Sequence, residues 1–359
     1  MTLLVLVAAL SILILVHEAG HFFVARRLGI RVERFSIGFG PVLCRWKPGQ
    51  TEYAVSALPL GGYVKMAGEQ SDTVTGAPWE YGSRPIWQRA GIVFAGPMVN
   101  YVTGTLLFIL IFWAGYPTLG PVVGRALEGY PAQAAGFQAG DRVLAVGGVP
   151  VETWEQVTEQ IRGQVSGRPV ALTIIRGGAE QVIAVQPQVR QGKTWLGRST
   201  RVAVVGLTPA DDVRIIRYPL PVAVVQGVKR TWWLTSMTYQ AFWQMATGAL
   251  PVKESLTGPV GIFYITSSAA ELGWRYLVQL FAVISVSLAI FNLLPLPVLD
   301  GGHLVFLAAE QIRRRPLSLR VQELMTQAGM YLLIGMLVVV TYNDVMKFQL
   351  VSRITEWFK

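Results

Sequence analysis

The chain has 359 residues, 52% of them hydrophobic and only 14% charged, with a mean hydropathy of +0.44. A soluble domain carries roughly 25% charged residues, so the composition excludes an all-soluble chain and describes an integral membrane protein with soluble mass attached. The net charge of +10 accompanies no nucleic-acid motif and reads as basic loops facing anionic headgroups, while Cys44, the only cysteine, excludes an intrachain disulfide.

Residues 1–25 are the first predicted span. Residues 3–16 carry no charge, and His17-Glu18-Ala19-Gly20-His21 follows directly. No Lys or Arg precedes Arg26, so the basic flank of a secretory signal is missing and the segment reads as a retained membrane helix. Histidines four apart share one helix face and can bind one zinc ion through imidazole nitrogen. Glu18, beside the first, can take the proton of a water activated by that metal. A bare HExxH arises often by chance, but here it uses two of the chain's three histidines. An ionisable cluster in a span is also expensive, and by default it marks a functional site.

Residues 26–90 form a loop with paired glycines, and residues 91–116 the second span. Residues 117–190 have soluble composition and read as an α+β insert. Gly136 and Gly140 punctuate a short helix, and a strand begins at Asp141. Gly147-Gly148 is a two-residue hairpin signal, residues 154–163 read as a helix and residues 170–176 as a strand. Residues 191–275 connect the insert to the third span. Within them, residues 231–252 are uncharged but mix Thr, Ser and Gln with Trp232, Trp233, Tyr239, Phe242 and Trp243. That mixture predicts a helix at headgroup level rather than a fifth span. Residues 276–299 are the third span, 300–323 a loop, 324–343 the fourth span and 344–359 a tail.

Basic residues flank the spans unevenly. Arg26, Arg27, Arg31 and Arg34 follow the first, Arg84 and Arg89 precede the second, and Arg313, Arg314, Arg315 and Arg320 lie between the third and fourth. Those loops are expected in the cytoplasm, with both termini and the insert outside it. At 1.5 Å per residue, His21 and His17 lie roughly 7 Å and roughly 13 Å inside Arg26, in the cytoplasmic third of the bilayer.

A catalytic zinc takes three protein ligands, and HExxH provides two. A candidate source of the third is the segment from Asn292 through Leu-Leu-Pro-Leu-Pro-Val-Leu to Asp300-Gly301-Gly302. Pro295 and Pro297 cannot continue a helix, so the backbone unwinds at membrane depth, which is tolerated only against protein or a wet cavity. Asp300 is the candidate ligand, although it could instead cap a following helix. His303, the remaining histidine, is a rival on residue type alone.

HExxH in the first span, together with NxxPxPxLDGG in a late one, resembles the site-2 protease family of intramembrane zinc proteases. Within it, the chain is most similar to the bacterial sigma-E-regulating type with a single PDZ domain. Gly38-Phe39-Gly40-Pro41, Leu60-Gly61-Gly62-Tyr63-Val64-Lys65-Met66 and Phe94-Ala95-Gly96-Pro97-Met98-Val99-Asn100 extend the likeness over essentially the whole chain. The resemblance implies one Zn2+ held by His17, His21 and Asp300, with Glu18 as general base. It favours Asp300 over His303, and it gives Asn292 a part in holding the unwound substrate.

A helical substrate hides its peptide groups and must open before it can be cut, and an exposed strand edge could pair with it. Residues 35–66 are the candidate edge. The resemblance makes this region a membrane-reentrant sheet and places Gly38 and Gly40 in substrate binding. The stretch 131–151 resembles a bacterial PDZ domain, which by family likeness puts Val122, Val123 and Gly124 near a peptide groove; a steric filter for substrate ectodomains is an equal alternative. The sigma-E type of gamma-proteobacteria carries two PDZ domains, and this chain shows one.

The expected fold is therefore a polytopic α-helical membrane protein of four spans, with a reentrant β segment and an extracytoplasmic PDZ-like α+β insert. The expected activity is regulated intramembrane proteolysis in the bacterial inner membrane. Its partners would be the bilayer and single-span proteins already trimmed outside, such as anti-sigma factors, or remnant signal peptides. Two other classes compete. A metal transporter would need polar residues along several spans, whereas these spans hold one cluster. An inactive PDZ-bearing scaffold would have no reason to keep Glu18.

Overall fold

The computed structural model describes residues 2–69, 74–164, 168–193, 199–251 and 256–347. Its contacts divide into two units, Met1–Leu110 with Val224–Thr238 and Pro251–Lys359, and Ile111–Ala223 with Tyr239–Leu250. Part of the expected tail, residues 348–359, lies outside the described residues.

The first unit is built on helices. Helix α1 (Thr2–Arg27) buries Leu6, Leu13, His17 and Gly20, spaced seven, four and three apart. That stripe is the inner face of one helix. Helix α2 (Ile86–Ala114) crosses it closely, since a Cβ on Gly20 would stand 2.6 Å from the Ala95 carbonyl oxygen. Among the described residues, four helices are long and apolar enough to cross a membrane: Leu3–Arg27, Ile86–Ala114, Trp274–Asn292 and Leu319–Lys347.

Between α1 and α2 lie strands β1 (Val32–Trp46) and β2 (Glu52–Met66), which pair antiparallel. Both strands bend, so Phe35 pairs with Tyr53 and with Val64, while Tyr53 also pairs with Trp46. The segments therefore lie side by side in the order 42–46, 52–56, 32–37, 62–66. The bend of β1 falls at Gly38 and Gly40, whose φ angles of 88° and 84° suit glycine. One end of this sheet is charged and the other apolar, with Phe39, Val42, Leu43 and Leu58 exposed.

The second unit is β-rich. It contains β3 (Tyr116–Leu119), β4 (Val123–Ala126), α3 (Pro131–Ala134), β5 (Arg142–Val146), β6 (Val149–Pro150), α4 (Trp154–Arg162), β7 (Val170–Arg176) and β8 (Ala179–Val185). Strands β6-β5-β7-β8 form one sheet, and β5 turns into β6 across Gly147-Gly148, both at positive φ. Helix α4 starts in a capping box between Thr153 and Gln156 and lays Val157 and Ile161 into a core with Val143, Val146, Leu172 and Ile174.

Strand pairing continues past the expected boundary at residue 190. Strand β9 (Gln188–Lys193) pairs with β10 (Ser199–Val204), β11 (Leu207–Pro209) with β4, and β12 (Val213–Ile216) with β3. The first part of the expected connecting region thus pairs within the insert. Short strands without a strong alternating pattern gave no sign of this in the sequence.

Helix α5 (Leu220–Ala246) follows and begins well before residue 231. In the first unit its Gly227 lies against Ile109 of α2, and Thr235 Oγ1 is 3.0 Å from the Tyr101 hydroxyl. Helices α6 (Pro259–Leu272), α7 (Trp274–Asn292), α8 (Asp300–Arg313) and α9 (Leu319–Lys347) complete the first unit. Helix α7 stops at Asn292 rather than 299, because Pro295 and Pro297 have no N–H to extend it.

Asp141 is buried at the start of β5. Arg176 donates to it through Nε at 2.7 Å and Nη2 at 2.6 Å, and the Gln138 N–H donates at 2.8 Å. Burial works against its charge, but Arg176 and Gln138 outweigh that and hold the carboxyl below the usual carboxylate range. Such a group stabilises the fold above its unfolded pKa of about 4 and loses that contribution as pH falls through the folded value. Asp141→Asn should cost the insert about 1–3 kcal/mol at neutral pH. Hydrogen exchange of β5 and β7 amides should show wild-type protection falling below pH about 4, and a flatter profile in the variant.

Candidate metal centre

HExxH occupies the second and third turns from the end of α1, facing α2 and α8. His17 and His21 are each 7% exposed. Their Nε2 atoms are 3.2 Å apart. Oδ2 of Asp300, the first residue of α8, lies 3.1 Å from His17 Nε2 and 3.6 Å from His21 Nε2. The ligand atoms of these three residues fall within 4.8 Å of one another. Tetrahedral zinc with bonds of about 2.0–2.1 Å sets its donors about 3.3 Å apart, so the three fit that ion.

The outer contacts fit as well. Nδ1 of His21 is 2.8 Å from the Ile92 carbonyl, which holds the proton on Nδ1 and leaves Nε2 as the ligand atom. Asn100 is fully buried, its Oδ1 has no partner among the described residues, and its Nδ2 is 3.5 Å from His17 Nδ1. A metal on Nε2 leaves a proton on Nδ1, and the same amide turned about would accept it.

Local backbone explains how a carboxylate 283 positions after His17 arrives. After α7, residues 293–299 fold back in short turns, with Leu299 N–H donating to the Leu296 carbonyl at 2.9 Å and Gly302 N–H to Leu299 at 2.9 Å. A Cβ on Gly301 would strike the Leu293 and Leu294 carbonyls, and one on Gly302 the Leu296 carbonyl. Two glycines are therefore required for α8 to start beneath this loop. Asp300 sits inside the first turn of α8 rather than at its cap, which is Leu299.

A cavity of about 770 Å³ opens at the centre, lined by His17, Glu18, His21, Asn292, Asp300 and His303. His303 stands one turn along α8 with its ring edge-on to Phe306, outside the group of three. The sheet reaches this cavity through Gly61, Gly62, Tyr63 and Val64. A Cβ on Gly62 would lie 3.5 Å from Glu18 Cγ, and Val64 lines the cavity together with Glu18.

Not every expected residue arrives. Gly38 and Gly40 are at the bend of β1, where Gly38 meets the Leu58 carbonyl, while Phe39 between them lines the cavity. Their motif partner Gly61-Gly62, quoted in the sequence without a role, is the glycine pair at the site. Val122, Val123 and Gly124 lie in or beside β4, whose backbone already bonds to its own insert. Val122 bridges Arg142, Val123 N–H donates to the Asp141 carbonyl at 2.8 Å, and Pro209 pairs with Val123. A peptide strand has no free backbone group to join at Val123.

Paired imidazoles and a glutamate on a membrane-length helix, met by a carboxylate from the start of a distant shorter helix, define a metal-dependent hydrolase of the membrane. Residues 5–336 match Peptidase family M50. The regulator of sigma-E protease RseP of Escherichia coli is 31% identical over 94% of this chain and 97% of its own. The zinc metalloprotease RasP of Geobacillus kaustophilus is 30% identical over 94% and 96%. A protein of Agrobacterium fabrum described as a zinc metalloprotease is 35% identical over 94% of both. Among solved structures, the PDZ domain of an SdrC-like protein of Listeria monocytogenes is 19% identical over 26% of this chain and 90% of its own, with a TM-score of 0.21. The chain belongs to peptidase family M50, the site-2 proteases, and is a zinc-dependent metalloendopeptidase.

Gly96 of α2 faces both imidazoles, and a Cβ there would overlap His21 Nε2 and crowd His17 Cε1. Gly96→Ala should lower zinc affinity roughly 10- to 100-fold, as disturbed outer-shell contacts do. Gly91→Ala on the same helix has open space and serves as control. Zinc content of the purified proteins after graded chelation would separate them; equal retention would clear Gly96 of any part in the site.

Proposed function

We propose that the chain cleaves peptide bonds of single-span membrane proteins within the bilayer, with His17, His21 and Asp300 as zinc ligands and Glu18 as general base. The observation that carries this reading is the meeting of His17 Nε2 and His21 Nε2, on a membrane-length helix that also carries Glu18, with Asp300 Oδ2 of α8. Zinc, when bound, supplies a Lewis acid that acidifies water and polarises the scissile carbonyl. Glu18 accepts the proton and delivers it to the leaving amine. Asn292, on the cavity wall at the end of α7, hydrogen-bonds the opened substrate.

The substrate strand lies along residues 62–66. On that segment Phe35 pairs with one side of Val64, and among the described residues no strand pairs with the other. The outward N–H of Met66 donates to Glu69 at 3.1 Å, and Val64 lines the cavity that Glu18 also lines. A peptide added at this edge would be held flat beside the general base.

The sheet re-enters the membrane from the cytoplasmic side. Its exposed Phe39, Val42, Leu43 and Leu58 are at one end, Trp46 is half exposed beyond them, and charged residues occupy the other end. That apolar, aromatic, charged sequence matches bilayer core, interface and water. The termini and the insert are then extracytoplasmic in a bacterial inner membrane. There the PDZ-like insert receives ectodomain stubs or excludes large ones. Relatives named for sigma-E regulation favour anti-sigma factors as substrates, after a first cut outside.

Glu18→Gln should lower cleavage of a single-span reporter roughly 100- to 10,000-fold with zinc retained. Asp300→Asn should lose zinc, and His303→Ala should keep it. Cleavage by Glu18→Gln at the wild-type rate would end the protease assignment, and zinc loss in His303→Ala alone would reassign the third ligand.

Cys44 reports on the sheet without engineering, being exposed and about 7 Å nearer the apolar end than Trp46. In bilayers it should resist a membrane-impermeant maleimide and react readily in denaturant. Fast labelling in intact bilayers would place the sheet in water.

A further inference from the structure

A separate, open cavity lies at the charged end of the sheet. It holds about 340 Å³ and is lined by Arg31, Glu33, Arg34, Lys47, Glu52 and Lys65. Four cations face two carboxylates, and both carboxylates are engaged. Arg34 Nε forms an ion pair with Glu52 at 2.9 Å, and Lys65 Nζ with Glu33 at 3.0 Å. Among the described residues, Arg31 and Lys47 have no ion-pair partner, and both are exposed. The cavity thus carries two positive charges that nothing described balances.

Its place in the fold narrows what balances them. Arg31 follows α1 by four residues, and Lys47 follows Trp46, whose ring stacks on Tyr53 at 5.4 Å. An aromatic side chain next to a lysine, at the end of apolar exposed strands, marks the headgroup level. We propose that this cavity binds the phosphate of an anionic phospholipid headgroup from the cytoplasmic leaflet. The inference rests on the reentrant reading of the sheet. A phosphodiester oxygen takes the free donors of Arg31 and Lys47, and its acyl chains run along the exposed Val42 and Leu43 side of the sheet. Arg34 and Lys65 stay with their carboxylates, which fix the cavity walls. The bound lipid anchors the sheet at its base while leaving the edge at residues 62–66 open.

The test uses the full chain in nanodiscs of mixed phosphatidylcholine and phosphatidylglycerol. Native mass spectrometry after transfer to detergent counts the lipids retained. Wild type and the charge-keeping double variant Arg31→Lys/Lys47→Arg should retain phosphatidylglycerol over phosphatidylcholine. Arg31→Gln/Lys47→Gln should retain it roughly thirty-fold less, since one basic residue at a membrane surface is worth about five-fold in affinity. Inorganic phosphate in excess should not displace the lipid. Equal retention in the glutamine variant overturns the site, and displacement by inorganic phosphate overturns the lipid as its ligand. Cys44 labelling in the same nanodiscs separates the two readings. Protected Cys44 without lipid selectivity removes the headgroup site alone, whereas freely labelled Cys44 removes the reentrant sheet together with it.

Discussion

Every polar group at membrane depth must find its partner inside the protein, and the architecture of the first unit follows from that constraint. The chain places two histidines, a glutamate, an asparagine and an aspartate among apolar helices. His21 is fixed by the Ile92 carbonyl, and Ser285 Oγ donates to the Asn100 carbonyl at 2.8 Å. The imidazoles and Asp300 satisfy one another's neighbourhood. Such groups are tolerable because the helices approach closely enough to exclude lipid. Glycines make that approach: Gly20 against Ala95, Gly96 against His21, Gly104 against Ala282 and Val286.

Much of this was legible in the sequence because both catalytic motifs carry their own physical reasons. Histidines at i and i+4 announce a shared face, and two prolines before Asp300 announce an unwound segment. Those signals are local, so one chain suffices to read them. What placed Asp300 against α1 was not local. Gly301 and Gly302 allow the fold-back, but the sequence alone could not exclude His303, one turn further on. The family resemblance chose between them, and the contacts at 3.1 Å and 3.6 Å belong to Asp300.

The less legible parts share another cause. Gly38-Phe39-Gly40 and Leu60-Gly61-Gly62 look alike as motifs, since each is a glycine pair in a strand. Only the double pairing of Phe35 decides that residues 62–66 form the outer edge and residues 32–37 the interior. Strands β11 and β12 were likewise invisible as parts of the insert, because their pairing with β4 and β3 spans most of its length. Span ends were displaced for a simpler reason: hydropathy continues through Leu293 and Leu294, whereas the helical hydrogen bonds cannot pass Pro295.

The same constraint gives the proposed chemistry its shape. Opening a substrate helix in the bilayer exposes peptide groups at several kcal/mol each when unpaired. With the sheet placed in the membrane as proposed, a bare strand edge carries the same penalty. The outward N–H of Met66 donates to Glu69 at 3.1 Å, so that carboxylate occupies a position that a substrate carbonyl would take. In the proposed mechanism, pairing of the two edges satisfies both strands at once and sets the opened peptide along residues 62–66, in the cavity that Glu18 also lines. Unwinding the substrate and presenting it to the base would then be one event.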